Sequence, residues 1–206
     1  MDISRIESLP VTLRDVVTVR KLAAGQKLFW QGSSASEFFI VKSGRFKIVR
    51  YLENKTVVVL GFAQSPNPLG EAALFSEIYC NTAIAEIDSQ VIVYPKSVLL
   101  SSLQNYPSLG QQLLKILVKS NQSLQRYLEL RDIRNAHQRL LTYLRYLARS
   151  GDSKIITFDR PLKEIAQELG FTPETLSRAL AKLEKQGKIT RSHNSIILQN
   201  PLSCLI

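Results

Sequence analysis

The stretch that decides the fold is LKEIAQELGFTPETLSRALAKLEKQGKI, residues 162–189. Apolar residues recur every three or four positions on both sides of Gly170, which predicts two amphipathic helices joined by a tight turn. Gly170 supplies the positive φ that such a turn requires. Thr172 and Pro173 are residue types that prefer the cap and the first position of a helix, so the second helix should begin there. The sequence therefore predicts a helix-turn-helix.

Each of the two helices is expected to bury one face in a small core. The inward positions are Leu162, Ile165, Ala166, Leu169, Leu176, Leu180 and Leu183. The outer face of the second helix then carries Glu174, Ser177, Arg178 and Lys182. An Arg can bind both acceptors of guanine, a Glu can accept from cytosine, and a Ser can contact thymine. This face is predicted to read bases in a major groove, although a simple surface pair of Glu174 with Arg178 would leave the same pattern.

Strand and helix patterns surround the helix-turn-helix. Downstream, KITR (188–191) and SIIL (195–198) predict a hairpin wing, with Arg191 and His193 close to DNA phosphates. Upstream, Asn135 should cap a helix over residues 136–151, and KIITF (154–158) reads as a short strand. Residues 135–206 hold 11 Lys and Arg against 6 Asp and Glu, so this predicted domain has a denser positive charge than the rest of the chain.

A long helix is predicted over residues 107–134, beginning at Pro107, with a hinge at residues 131–135. A heptad seam runs along it at Leu114, Leu117, Asn121, Leu124 and Leu128. An Asn in such a seam favours pairing of two helices in one register, so the seam predicts a homodimer. The alternative is that this helix packs on the chain's own barrel.

Residues 1–106 are predicted to form an all-β domain. Seven short apolar runs lie between residues 16 and 95, separated by turn signals such as QGSSAS, KSGR and LENK. This spacing is typical of a β-barrel or sandwich. Residues 53–55 should form a hairpin tip. The fold class is therefore α+β: a jelly-roll-like β-roll, a long helix and a winged helix-turn-helix.

The composition limits the chemistry that the chain can perform. Its net charge of +10 favours a polyanionic partner such as double-stranded DNA. Two Cys and two His are too few for a disulfide framework or a zinc cluster, so no metal or other cofactor is expected. The sequence shows neither a signal peptide nor an apolar run long enough to span a bilayer, which predicts a cytoplasmic protein without membrane contact.

The order of these elements resembles the CRP/FNR superfamily of bacterial transcription regulators. The resemblance rests on KLFWQGSSASEFFIVKSGRFKIV (27–49), PLGEAALF (68–75) and LGFTPETLSRALAKLE (169–184). It implies a homodimer that binds a palindromic DNA site, with RNA polymerase as a further partner. Thr172, Thr175 and the His193 hairpin match the family's phosphate-contacting positions. The pattern of Glu174, Ser177 and Arg178 is closer to FNR-type readers and implies TTGAT-like half-sites.

The ligand loop of the roll, GEAALFSEIYCNTA (70–83), departs from the family pattern. The positions implied for an effector are Gly70, Glu71, Ala72, Asn81, Thr82, Leu124 and Gln125. Asn81 and Thr82 stand where the cAMP-binding members carry an Arg-Ser pair, and Leu124 and Gln125 replace a Thr-Ser pair. Burying a phosphate without a cation is costly, so cAMP is not expected to bind, and another small molecule is the open alternative.

Other function classes find little support in the residues. A cupin-type barrel enzyme needs His ligands inside the barrel, and no His precedes His137. An iron–sulfur sensor needs four Cys ligands. Cys80 is interpreted as a small buried residue rather than a haem ligand. A cyclic-nucleotide-binding regulatory module is the remaining alternative, which the helix-turn-helix disfavours. We therefore expect a DNA-binding regulator and not an enzyme.

Overall fold

A computed structural model describes residues 2–151, 154–158, 161–192 and 195–199. The chain comprises two compact units, Met1–Leu124 and Gln125–Ile206. The first is rich in strands and the second in helices, as the sequence predicts. The predicted His193 contact and Cys204 lie outside the described residues.

The first unit is a β-roll built from two four-stranded antiparallel sheets, as predicted. One sheet has the order β1-β8-β3-β6 and the other β2-β7-β4-β5. A short helix, α1 (Val11–Arg14), precedes them. The strands are β1 (Thr18–Leu22), β2 (Lys27–Phe29), β3 (Glu37–Ser43), β4 (Arg45–Tyr51), β5 (Val57–Gln64), β6 (Pro68–Leu69), β7 (Thr82–Ala85) and β8 (Ser89–Pro95).

Strand β3 explains why the run FFIV (38–41) is continuously apolar. Successive side chains of a strand point to opposite faces of its sheet. Phe39 and Val41 belong to the core inside the roll, whereas Phe38 and Ile40 belong to a second core that also includes helical residues. Because both faces are covered, every position of the run is apolar. The sheet that contains β3 therefore lies between two hydrophobic cores.

The hairpin between β4 and β5 turns at residues 52–56, as predicted. The backbone N–H of Leu52 donates to the Thr56 carbonyl at 2.9 Å, and Lys55 adopts a φ of 61°. The Asn54 side chain accepts from the Thr56 N–H at 3.0 Å, which is the local bond that makes Asn a common turn residue.

Two helices follow the roll: α2 (Lys96–Asn105) and α3 (Pro107–Asp132). Pro107 is the first residue of α3, where its missing N–H costs nothing. Leu109 and Leu113, in the early turns of α3, are buried in the second core of the first unit. Helix α3 therefore begins as part of the packed roll.

Where the structure describes it, the second unit contains a three-stranded sheet and three further helices. Its elements are α4 (Ala136–Gly151), β9 (Ile155–Thr157), α5 (Leu162–Glu168), α6 (Pro173–Lys185), β10 (Ile189–Arg191) and β11 (Ser195–Leu198). The Asn135 side chain accepts from the Gln138 N–H at 3.3 Å and caps α4, as predicted. The sheet has the antiparallel order β10-β11-β9. Helices α5 and α6 with the β10–β11 hairpin form the predicted winged helix-turn-helix.

Two predicted burials are wrong. Leu162 is 46% exposed, because it is the first residue of α5, whereas Ile165, Ala166 and Leu169 are buried as expected. Cys80 is exposed rather than buried. Its neighbour Tyr79 takes the inward position in the core of the roll, so the Cys80 side chain is left at the surface.

Candidate functional site

The start of α6 is set by a tight turn after α5. Gly170 has a φ of +67°, and its N–H donates to the Gln167 carbonyl at 3.1 Å. The N–H of Phe171 donates to the Ala166 carbonyl at 2.8 Å. These two bonds form a Schellman motif, in which a left-handed residue closes a helix. The turn therefore ends α5 within one residue and directs the chain into α6.

Thr172 caps α6, as predicted. Its Oγ1 accepts from the Thr175 N–H at 3.2 Å and lies 3.1 Å from the Thr175 hydroxyl, while Pro173 occupies the first position of the helix. Both hydroxyls are therefore at the N-terminal end of α6. The free N–H groups and helix dipole at such an end favour a negatively charged group such as a phosphate.

Helix α6 separates its buried and exposed faces as predicted. Its inward residues are Leu176, Ala179, Leu180 and Leu183. Its exposed residues include Glu174, Ser177, Arg178 and Lys182. The structure therefore brings the four candidates together on one exposed face of α6, with Glu174, Ser177 and Arg178 on its first turns and Lys182 in its last turn.

Local contacts set the ionisation of Glu174 and the position of the Arg178 side chain. The pKa of Glu174 is lowered by its own backbone N–H, by the Thr172 hydroxyl and by the nearby Arg178 cation. The group is therefore a carboxylate that can only accept hydrogen bonds. Nη2 of Arg178 is 3.5 Å from the Thr175 hydroxyl, so the guanidinium lies along the first turns of α6.

Arg191, in strand β10 of the wing, forms an ion pair with Glu184. Its Nε and Nη2 lie 2.8 Å and 2.6 Å from Oε2 of Glu184, and this contact is the main cause of the lowered Glu184 pKa. Arg191 was predicted to lie near phosphates. Its guanidinium instead forms an exposed pair in which the two charges offset each other.

Two further cations, which were not predicted from the sequence, lie near the predicted Lys182. Lys185 and Lys188 are exposed, like Lys182, near the end of α6. The pKa of His137, at the start of α4, is lowered by desolvation and by the charges of Lys182 and Lys188. His137 therefore belongs to this positive surface. The recurrence of Lys every third residue in KLEKQGK was a signal that could have identified Lys185 and Lys188.

The ligand loop of the roll is built around Gly70 and a buried carboxyl group. Gly70 has a φ of +77°, and a Cβ there would lie 3.1 Å from the Tyr79 ring. It precedes a short 3₁₀-helix, Glu71–Phe75, in which Ala72 is exposed. Burial raises the pKa of Glu71. Glycine is therefore required both by the backbone conformation and by the close ring.

The other predicted effector residues have different environments. Thr82 is buried, and its Oγ1 accepts from the Gln31 N–H at 2.9 Å. Asn81 is half-buried. Leu124 lies over β5, where a Cβ added to Gly61 would be 3.6 Å from its Cδ2. Gln125 begins the second unit.

Aromatic side chains fill the roll beside the ligand loop. The rings of Phe29 and Tyr79 stack with centroids 4.2 Å apart, and Phe39 lies 5.7 Å from Phe29. The Tyr79 hydroxyl donates to the Glu37 carbonyl at 2.7 Å. The sequence analysis missed this cluster, and it also missed Arg50. Nε of Arg50 donates to the Cys80 carbonyl at 3.3 Å, which places an exposed cation beside a loop that contains none.

Helix α3 exposes an apolar stripe. Leu114 is 62% exposed and Leu128 61% exposed, and Asn121 and Leu124 are also exposed. Leu117 differs from the prediction because it packs partly against the core of its own unit. Val118, which the heptad did not include, is 49% exposed next to it.

Within the described residues, no group of three or more His, Cys, Asp or Glu side chains is placed to hold a metal ion. Nor does any helix in the described part of the chain have the length and hydropathy needed to cross a membrane.

Two family models match the chain. The cyclic nucleotide-binding domain matches residues 19–106, and the Crp-like helix-turn-helix domain matches residues 138–202. Electron transport regulator A of Shewanella oneidensis is 26% identical over 192 residues, which cover 90% of this chain and 77% of that protein. Transcriptional activator protein FnrA of Stutzerimonas stutzeri is 28% identical over 188 residues, which cover 86% of this chain and 77% of that protein. The structure of FixK2 from Bradyrhizobium japonicum has a similar fold, with a TM-score of 0.70 at 20% identity over 90% of this chain and 94% of that one.

Proposed function

This chain belongs to the CRP/FNR family of DNA-binding transcription regulators, and from that premise we propose that it acts as a homodimer on a palindromic site. Each copy presents helix α6 to one major groove. The observation that carries this proposal is the exposed polar face of α6. The helix follows a tight turn and is capped by the Thr172 side chain. The three parts of the proposed dimer are a sensor roll (1–106), a dimerisation helix (107–134) and a reader domain (135–206).

The residues on α6 divide into two roles. Arg178 binds guanine, Glu174 accepts from cytosine and Ser177 contacts thymine, so that together they read a TTGAT-like half-site. The hydroxyls of Thr172 and Thr175 and the ammonium of Lys182 bind phosphates, which set position and affinity without reading sequence. Arg191 and His193 add phosphate contacts from the wing, and the contact of Arg191 is weaker because its guanidinium stays paired with Glu184.

Dimerisation uses the exposed stripe of α3. Leu114, Leu124 and Leu128 would be covered by the same residues of a second copy, and Asn121 would fix the register. Leu117 contributes less than the heptad suggested because it also packs on its own unit. In the cell, we place this dimer in the cytoplasm, where it meets DNA and RNA polymerase.

The roll is not a cAMP receptor in this proposal. The phosphate would have to be buried beside Asn81 and Thr82, neither of which carries a positive charge to compensate it. The buried carboxyl group of Glu71 adds to the cost of burying a second acid. Any small-molecule effector that acts through Gly70, Glu71, Ala72, Leu124 and Gln125 is therefore a compound other than cAMP.

The test is selection of random DNA duplexes by the purified protein with no ligand added. We expect enrichment of a two-fold site with TTGAT-like halves. Retention of DNA that weakens with salt, without any sequence enrichment, would contradict a ligand-independent reader. Repeating the selection with cAMP provides the control, since the proposal expects an unchanged site and an unchanged yield.

A further inference from the structure

Arg139, on α4, connects the end of the long helix to the turn of the helix-turn-helix. Its Nε donates to the Ile133 carbonyl at 2.8 Å and its Nη2 to the Arg131 carbonyl at 3.3 Å. Its Nη1 donates to the Leu169 carbonyl at 2.8 Å. One half-buried guanidinium therefore binds the backbone at two places that are far apart in the sequence.

The accepting carbonyls belong to helix ends. Those of Arg131 and Ile133 lie at the end of α3, and that of Leu169 follows the last residue of α5. Helix C-termini leave carbonyls without intrahelical partners and carry a partial negative charge, so a cation is favoured there. Arginine suits this position because its planar fork presents five donors in fixed directions, whereas a lysine ammonium is a compact charge with three donors.

The turn itself is shaped around this guanidinium. The Phe171 ring lies 5.1 Å from the Arg139 Cζ, and a Cβ on Gly170 would be 3.7 Å from Nη1. Helix α6 begins at Pro173, directly after these residues. A shift of Arg139 would therefore move the start of α6.

We propose that Arg139 is a positioning residue that fixes the direction of α6 relative to the last turn of α3, and thereby fixes the spacing of the two half-sites that a dimer accepts. The inference rests on the proposed homodimer. Half-sites bound by such a dimer lie about one helical turn, or about 10 base pairs, apart. A reader that is free to turn at residues 131–135 would accept several spacings.

The fold of the second unit does not depend on Arg139 alone. The core of the second unit is formed by apolar side chains such as Leu140, Leu144 and Leu180. The end of α3 is attached to α4 by other contacts as well: Leu130 is part of this core, and the Tyr146 hydroxyl donates to the Glu129 carboxylate. Removing the guanidinium should therefore release the turn while the unit stays folded.

The experiment uses a library of duplexes with two fixed half-sites and a variable spacer. Wild type should select one spacing, whereas for Arg139→Gln the preference for that spacing should fall by about tenfold or more, because hydrogen bonds to a charged group are lost. The bases chosen within each half-site should stay the same. Arg139→Lys should behave more like Arg139→Gln than like wild type. Tyr146→Phe is the matched control, which removes an α3–α4 hydrogen bond without touching the turn, and it should keep the narrow spacing.

An unchanged narrow spacing for a folded Arg139→Gln protein would overturn the inference, and so would full rescue by Arg139→Lys. Amide hydrogen exchange without DNA gives a second readout that does not need the dimer. Residues 131–135 and 169–172 should lose protection together in Arg139→Gln, and unchanged protection would also overturn it. If wild type selects no two-fold site at all, the proposed ligand-independent reader fails, and the exchange result still decides whether Arg139 links the two segments.

Discussion

Helix α6 exposes charged and hydroxyl side chains, whereas helix α3 exposes a stripe of leucine and valine. Glu174, Ser177 and Arg178 stand on the solvent side of α6, while Leu114 and Leu128 of α3 are each more than half exposed. Both helices bury another face in a core of their own. The difference lies in what each exposed face would gain from contact with a partner.

An apolar stripe and a polar face have different partners for physical reasons. Apolar surface gains free energy when any complementary apolar surface removes it from water, and an identical stripe on a second copy is complementary to it. A cationic face gains by releasing the counterions of a polyanion. In the proposed dimer, the two helices therefore divide the work of a regulator, one joining two copies and the other contacting DNA.

The largest effect should come from a charge in the stripe of α3. Leu128→Glu would place two negative charges opposite each other in the proposed dimer. It should not disturb the monomer, because Leu128 is exposed there. Two linked reader domains bind a two-fold site more tightly than a single one does. Loss of the dimer removes this gain in affinity, so affinity for a two-fold site should fall on the order of 100-fold. Sedimentation and binding to a single duplex measure the two effects. Ser123→Glu, an exposed position outside the stripe, is the control, and equal loss in both variants would make the stripe irrelevant.

The next effect concerns the polar face of α6. Arg178→Ala should cost about 1–3 kcal/mol at the selected site and relax the choice of one base pair, because a bidentate contact to guanine is lost. Comparison of selected sequences before and after the change measures both quantities. Lys185→Ala removes one exposed charge nearer the end of α6 and should weaken binding without changing base choice. A relaxed base in both variants, or in neither, would remove Arg178 from the reading role.

Asn121 tests the register of the stripe. Asn121→Asp should weaken the dimer by about 1 kcal/mol, the repulsion of two nearby charges that keep some water around them. Gln122→Glu, its exposed neighbour, adds the same charge beside the stripe and should have less effect. Dimer dissociation constants at low salt give the comparison. A dimer equally tight in all three proteins would place Asn121 away from the seam.

The smallest effect concerns the salt dependence of DNA binding, and it should distinguish Lys182 from Arg191. Lys182→Ala should lower the salt dependence of DNA binding by about 0.9 in log–log slope, the value for one phosphate contact. Arg191→Ala should lower it less, because Glu184 already offsets that charge. Glu184→Gln should raise the slope by freeing Arg191. Equal slopes for the Lys182→Ala and Arg191→Ala proteins would show that the ion pair opens on DNA.

Much of the second unit follows from local rules. Gly170, Thr172 and Pro173 each act on backbone groups within a few residues, so a turn, a cap and a helix start can be predicted from their order. The outer face of α6 follows from helical periodicity alone. The prediction for Leu162 failed because periodicity shows which face a residue belongs to and not whether the core extends as far as the first turn.

Contacts between distant segments could not be predicted in this way. Arg50 reaches the carbonyl of Cys80, thirty residues away, and Arg139 reaches that of Leu169 at the same separation. The pairing of Arg191 with Glu184 also required the wing to fold back on α6. Each of these cations appears in the sequence as an ordinary surface charge. Its partner is a backbone carbonyl or a carboxylate that only the folded chain brings near.

The sequence by itself determined the order of roll, long helix and winged helix-turn-helix, because strands, helices and turns depend on side chains only a few positions apart. It also determined which residues of α6 face outward. Only the tertiary structure decided that Tyr79 rather than Cys80 enters the roll, that Leu117 rests on its own core while Val118 is exposed, and that Arg139 joins two helix ends. Burial and long-range hydrogen bonds depend on how whole elements pack, and a periodic pattern carries no information about the neighbouring element.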